Sequence, residues 1–189
     1  MKKALFLLIC SVFLLTGCGG KKYGEELQNV ADDILDNSAE IEGLLNEYSR
    51  IWSFSIESGD FIEIEDMANE MGISEDDINE YFALSALGDV PGDFSTNIYS
   101  LNSYYKETGV LDEIEKTSDE IKNKMSDLKK PPKGYEDVYD EVLEMYDLSE
   151  KYLEMALNPS GSLQEFNGSK NELTDEILSK HKRIEVIMP

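Results

Sequence analysis

Chemistry in a chain of 189 residues needs a few side chains of the right type at the right spacing, and here the choice is narrow. His181 is the only histidine, with Glu176 five residues before it and Glu185 four after. It is the one side chain placed to shuttle protons near neutral pH or to offer an imidazole to a metal. The helical Glu-x-x-His and His-Glu-x-x-His spacings are absent, so the plainer expectation is a histidine lining the side of the last helix. A serine triad would have to use His181, and no Gly-x-Ser-x-Gly elbow supplies its nucleophile. There is no phosphate-cradling glycine loop. Acidic runs such as Glu75-Asp76-Asp77 lack the alternating ligands and central glycine of an EF-hand. Paired carboxylates can hydrolyse glycosides, but forty Asp and Glu single out no pair. The expectation is a protein with no catalytic residues, no metal and no cofactor.

Aromatic side chains are the other candidates. Tyr99, Tyr104, Tyr105, Tyr135, Tyr139, Tyr146 and Tyr152 crowd into two consecutive segments. A tyrosine offers apolar area plus a hydroxyl, which suits sugar or peptide recognition. Tyr99, Tyr104, Tyr105 and Tyr135 are therefore the candidate ligand-binding residues, in a cleft between helices. Tyr139 and Tyr146 fall on the apolar stripe of their own segment. Trp52, the single tryptophan, reads as core.

Cys18 carries the most specific signal. Lys2 and Lys3 precede an apolar run, Ala4 to Leu15, which leads into Leu15-Thr16-Gly17-Cys18. Positive region, apolar region and small residue make a secretory signal. With the cysteine at the cleavage site it resembles the bacterial lipoprotein signal, in which the cysteine sulfur receives a diacylglyceryl group and a dedicated peptidase cuts before it. The resemblance implies that residues 1–17 are removed, that Cys18 is the lipid-attachment residue, and that the protein is held on the extracytoplasmic face of the cell membrane. An apolar run of about a dozen residues is too short to span a ~30 Å hydrocarbon core. Cys10 would leave with the signal, so the remaining domain has neither a disulfide to form nor a thiolate to use. Behind a bacterial signal of this kind the sequon Asn167-Gly168-Ser169 is coincidental.

Charge narrows the partners. The chain stands at −23, and loss of Lys2 and Lys3 with the signal takes it to −25. Such a charge disfavours nucleic acid and anionic surfaces. Between Lys22 and Lys106 the only basic residue is Arg50, against twenty Asp and Glu. The first half is thus either a well-solvated surface or a lure for cationic peptides, polyamines or divalent cations. Residues 18–24 read as the lipidated cysteine and a short tether, reaching no more than about 20 Å at roughly 3.3 to 3.6 Å per residue. Residues 25–189 read as one domain, long enough to bury roughly 70% of its unfolded surface.

These residues must be positioned by helices. From Glu25 to about Ser58 apolar residues keep a seven-residue register: Leu27, Ile34, Ile41 and Tyr48 on one seam, Ala31, Leu45 and Trp52 on its companion, with Ser38 the one polar member. Val30, Leu35, Leu44 and Ile51 widen the stripe beyond a dimer seam and favour packing within a bundle. Ser58-Gly59-Asp60 ends this helix, and a broken helix pair follows. Its first part has Ile64, Met67, Ala68 and Met71 before Gly72; its second opens on Ser74 and Asp77 and buries Ile78, Tyr81, Phe82 and Leu87 before Gly88. Asp89 to Asp93 reads as a turn. Ile98, Leu101 and Tyr105 lead to Leu111, Ile114, Ser118, Ile121, Met125 and Leu128, with a slip near Gly109 and a stop at Pro131-Pro132. Tyr135 to Ala156 and a final helix opened by the capping box Ser162/Glu165 complete the chain. No segment alternates with period two. The fold expected is all-α, an antiparallel bundle of about four long helical elements, the second one broken.

Lys130-Pro131-Pro132-Lys133-Gly134-Tyr135 and Asn158-Pro159-Ser160-Gly161-Ser162-Leu163 resemble a pattern found in small uncharacterised lipoproteins of Gram-positive bacteria, over roughly the last third of the chain. The resemblance implies a lipid-anchored helical domain and brings no catalytic residues. The function expected is a non-enzymatic interaction or binding module at the cell surface. Its membrane contact runs through the lipid on Cys18, and its other partners would be cationic peptides or envelope proteins. A ligand-binding lipoprotein with an aromatic cleft is the alternative, and a cell-envelope enzyme the more distant one.

Overall fold

The computed structural model describes the backbone of residues 2–189 and the side chains from Gly19 onward. Residues 1–17, expected to be a secretory signal, and Cys18, the expected lipid-attachment residue, therefore lie outside the residues whose side chains are described. The elements run α1 (Lys2–Ser58), β1 (Phe61–Ile62), α2 (Ile64–Met71), α3 (Glu75–Tyr81), β2 (Val90–Pro91), α4 (Phe94–Glu107), α5 (Val110–Asp127), α6 (Glu136–Leu157) and α7 (Leu163–Ile187). The class is all-α, with one pair of two-residue strands among the described residues.

Burial of the expected stripe builds the core. Leu27, Ala31, Ile34, Ile41, Leu45, Tyr48 and Trp52 are buried along α1, with Val30, Leu44 and Ile51 beside them. Ser38, the polar member of the seam, donates to the Ile34 carbonyl at 2.7 Å and so satisfies itself within its own helix. Around α1 pack α4, α5, α6 and α7. Leu111, Ile114, Ser118, Ile121, Met125 and Leu128 are all buried, as their spacing predicts.

Polar bonds fix where α4, α5 and α7 meet α1. Asn97 donates to Ser55 at 2.9 Å and Asn102 to Tyr48 at 2.8 Å from α4. Lys124 of α5 pairs with Asp33 at 2.7 Å, and Tyr23 donates to the Leu128 carbonyl at 2.7 Å. From α7, Ser49 meets Asn167 at 2.6 Å and His181 Nε2 lies 2.8 Å from Asp32.

Three local expectations are corrected. The helix opened by Ser74 ends at Tyr81, not at Gly88, because Phe82 is extended and turns its ring into the core. Leu87, expected on the buried face, is 84% exposed in the turn that follows. Asp89 to Asp93 is not only a turn: Val90 and Pro91 pair antiparallel with Ile62 and Phe61. Gly92 then passes so close to the chain that a Cβ there would lie 1.6 Å from the Gly59 carbonyl oxygen. Gly19 to Gly24 is helical, with Tyr23 against the Tyr135 ring at 5.4 Å and Gly24 buried beneath that ring.

Candidate functional site

The four candidate tyrosines are not brought together. Tyr135, just ahead of α6, packs on Tyr23. Tyr105 meets Tyr48 edge-on at 5.9 Å. Those two places on α1 are twenty-five residues apart, or roughly 37 Å along a helix rising ~1.5 Å per residue. Tyr104 is sandwiched between Tyr81 and Tyr105 in a run of rings that continues through Tyr48 and Phe166 to Trp52 and Phe94. Burial pushes the Tyr48 hydroxyl up to about 12, against the opposing effect of the hydrogen bond from Asn102, and it raises Tyr105 as well. These are packed rings with protonated hydroxyls. Only Tyr99, 76% exposed, stands free at the surface.

Tyr99 rims a cleft of about 430 Å³ where α4 meets the turn between α6 and α7. Trp52 and Phe94 stack at 5.3 Å and 17° on one wall, and Asn158 to Gly161 form the other. Asn102 closes one side, donating to the Ala156 carbonyl at 3.1 Å as well as to Tyr48. An aromatic wall with amide and hydroxyl groups opposite it is the usual make-up of a small-ligand site. Trp52 reads as core from its spacing and is buried, yet its ring edge also lines this cleft, which spacing along one helix does not reveal.

A second concavity runs between α1 and α5. Two adjoining hollows of about 360 and 170 Å³ share Asp33 and Lys124. Their walls carry Glu26, Asp33, Asp36 and Glu40 from α1 and Glu120 and Asp127 from α5. Among the described residues Lys124 is the only cation lining them. Lys22 reaches Glu26 at 3.0 Å and Lys116 reaches Glu120 at 3.9 Å from outside, as exposed pairs. Such pairs are worth little and exchange readily with solvent. The floor is aliphatic, with Val30, Ile121 and Leu128 buried.

Asn37 lines the same groove at 2% exposure, and neither its Oδ1 nor its Nδ2 has a hydrogen-bond partner among the described residues. Each unmade bond on a buried amide costs about 1–3 kcal/mol. Sequence reasoning missed Asn37, although its register shows it: Val30, Asn37, Leu44 and Ile51 lie seven residues apart on one line of α1.

His181 sits between α7 and α1, near Asp32 and 4.0 Å from Glu185, with Glu176 not among its partners. Among the described residues no three histidine, cysteine or carboxylate side chains converge on a point where a metal would sit. No helix among them is long and apolar enough to cross a membrane. Comparison with protein-family models, with curated proteins and with solved structures gives no match.

Proposed function

We propose that this chain is a lipid-anchored extracytoplasmic protein that acts as a non-enzymatic interaction module at the bacterial surface and engages cationic partners through the groove between α1 and α5. The observation that carries the reading is six wall carboxylates against the single amine of Lys124. Opposed like charges raise the local concentration and the arrival rate of a cation, an effect that salt weakens. The anchor rests on Leu15-Thr16-Gly17-Cys18 and its resemblance to the lipoprotein signal. Reading the protein as a non-enzyme rests on the lack of a nucleophile and base at catalytic spacing in the sequence.

The architecture that presents the groove is, in this reading, an antiparallel bundle of four long elements: α1, α4 continued by α5, α6, and α7. Its support is the order of the cross-links. Residue numbers rise along α1 as they fall along α7 in Asp32/His181, Asn46/Lys170 and Ser49/Asn167. Opposite order also holds in Glu141/Lys180 and Tyr152/Thr174 between α6 and α7.

The test is mild crosslinking and pull-down of the lipidated protein from its own membranes, beside a variant with Asp33→Lys and Glu120→Lys. A basic protein or peptide recovered with the natural chain and lost with the variant is the expected result. Equal recovery with both would overturn the groove as the contact. A second reading, a small-ligand site in the cleft of Trp52, Phe94 and Tyr99, is favoured by the exposure of Tyr99 beside that stacked pair. Because Trp52 is the sole tryptophan, its fluorescence reports the cleft directly. A co-purifying small molecule whose removal shifts that emission would move the function there.

A further inference from the structure

We infer that the groove between α1 and α5 is a binding site for a linear polyamine. The inference rests on the cationic-partner reading and names the kind of cation. Asp33, Asp36 and Glu40 stand three and four residues apart along one side of α1. That places one carboxylate per turn, at intervals of about 5.4 Å, close to the interval that three or four methylenes put between successive amines. Between the charges a polyamine carries short apolar spacers, and the groove offers them the buried aliphatic floor of Val30, Ile121 and Leu128.

Lys124 already shows the mode of binding. Its ammonium sits on Asp33 at 2.7 Å, an alkyl amine held by a wall carboxylate. Half of that side chain is exposed, so it can swing to solvent and leave Asp33 to an incoming amine. The same groove is also lined by the carboxamide of Asn37, buried and without a partner among the described residues. An ammonium N–H is the donor its oxygen lacks, and a water carried in with the cation completes its Nδ2. A chelated divalent ion fits less well, since no three ligating side chains meet at one point among the described residues.

Titration of the full-length, detergent-solubilised protein with spermidine, by calorimetry and by thermal unfolding, tests this. One saturable site that raises the unfolding temperature and weakens with added sodium chloride is expected. Lys124→Ala should tighten spermidine several-fold by removing the resident competitor. Asn37→Leu should weaken it by tenfold or more without lowering the unfolding temperature of the free protein. Asp36→Asn with Glu40→Gln changes only exposed side chains and should weaken it as much. Unchanged affinity in both of these variants, or equal displacement by magnesium at the same concentration, would mean diffuse counter-ion attraction and overturn the site. If a lysine-rich peptide binds at the groove and spermidine does not, the polyamine falls while the broader cationic-partner reading stands. If neither binds, both fall.

Discussion

Asn37 and Tyr48 show how differently two buried polar side chains of one helix are treated. Tyr48 is fully buried, but its hydroxyl accepts from Asn102, which also binds carbonyls of α6. That one bond satisfies it. Burial favours the neutral phenol, so the folded hydroxyl titrates near 12 against an ordinary value of 10. Tyr23 and Tyr152 are raised to about 12 for the same reason. For a group whose proton is held more tightly when folded, the associated stability is complete below pH 10 and drains away as pH climbs from 10 towards 12. Phenolate absorbance should therefore show these three among the tyrosines that ionise well above pH 10, with alkaline unfolding setting in across that window; ten tyrosines titrating together near 10 would contradict the packing. Asn37 has no such ties. Its heptad line with Val30 and Leu44 is legible in the sequence. Its lack of a partner is not, because that depends on which α5 side chains face it.

Capped helix starts were the most legible features of the chain, and for a local reason. A capping box needs only residues three apart, and both Ser74/Asp77 and Ser162/Glu165 close reciprocally. Ser162→Ala should cost about 1 kcal/mol, read as a lower midpoint in urea with an unchanged slope. Hydrogen bonds from Ser162 hold the Glu165 carboxyl below its ordinary range, as those from Thr96 and Ser95 do for Asp93. Their support is present above the ordinary carboxylate range and is lost as pH falls through the depressed values. Gly109 was legible as a slip but not as to its kind. With φ at +80° and nothing near its Cβ position, it divides α4 from α5 as a left-handed break rather than a close approach. The strand pair was invisible, since two residues cannot display a period. Its signature is the closeness of Gly92 to Gly59. Gly92→Ala should break the hydrogen bond from Gly92 N–H to the Asp60 carbonyl, 2.9 Å long, and the pairing beside it. Hydrogen exchange at Ile62 and Val90 should quicken in this variant while α6 and α7 keep their protection; unchanged exchange would show that the chain gives way cheaply.

At the scale of the molecule, charge and the proposed address work together. Of the twenty acids in the half that has Arg50 as its lone interior base, nine lie on α1, and α1 faces α5 across the groove. Net charge was countable in the sequence; which of forty acids share a wall was not, because α1 and α5 meet only through residues about ninety positions apart, such as Asp33 and Lys124. The same non-local packing decided the tyrosines. Two consecutive helices rich in one residue type look like a cleft in one dimension, while the fold sends Tyr135 to Tyr23 and Tyr105 to Tyr48. In the proposed setting Lys21 and Lys22, exposed at the start of the described side chains, face anionic headgroups. Each contributes about 1 kcal/mol there, and the same field turns the acidic body outward. One lipid signal with two lysines makes the address the claim on which the rest depends. The measurement that tests it most directly is fractionation of cells carrying the natural chain or Cys18→Ala, with mass spectrometry of the recovered protein. The account predicts a natural chain in the membrane fraction that begins at Cys18 and carries a diacylglyceryl mass on that residue, and a variant that loses that lipid and leaves the membrane. A chain that still begins at Met1, or a variant that stays in the membrane as firmly as the natural protein, would contradict it.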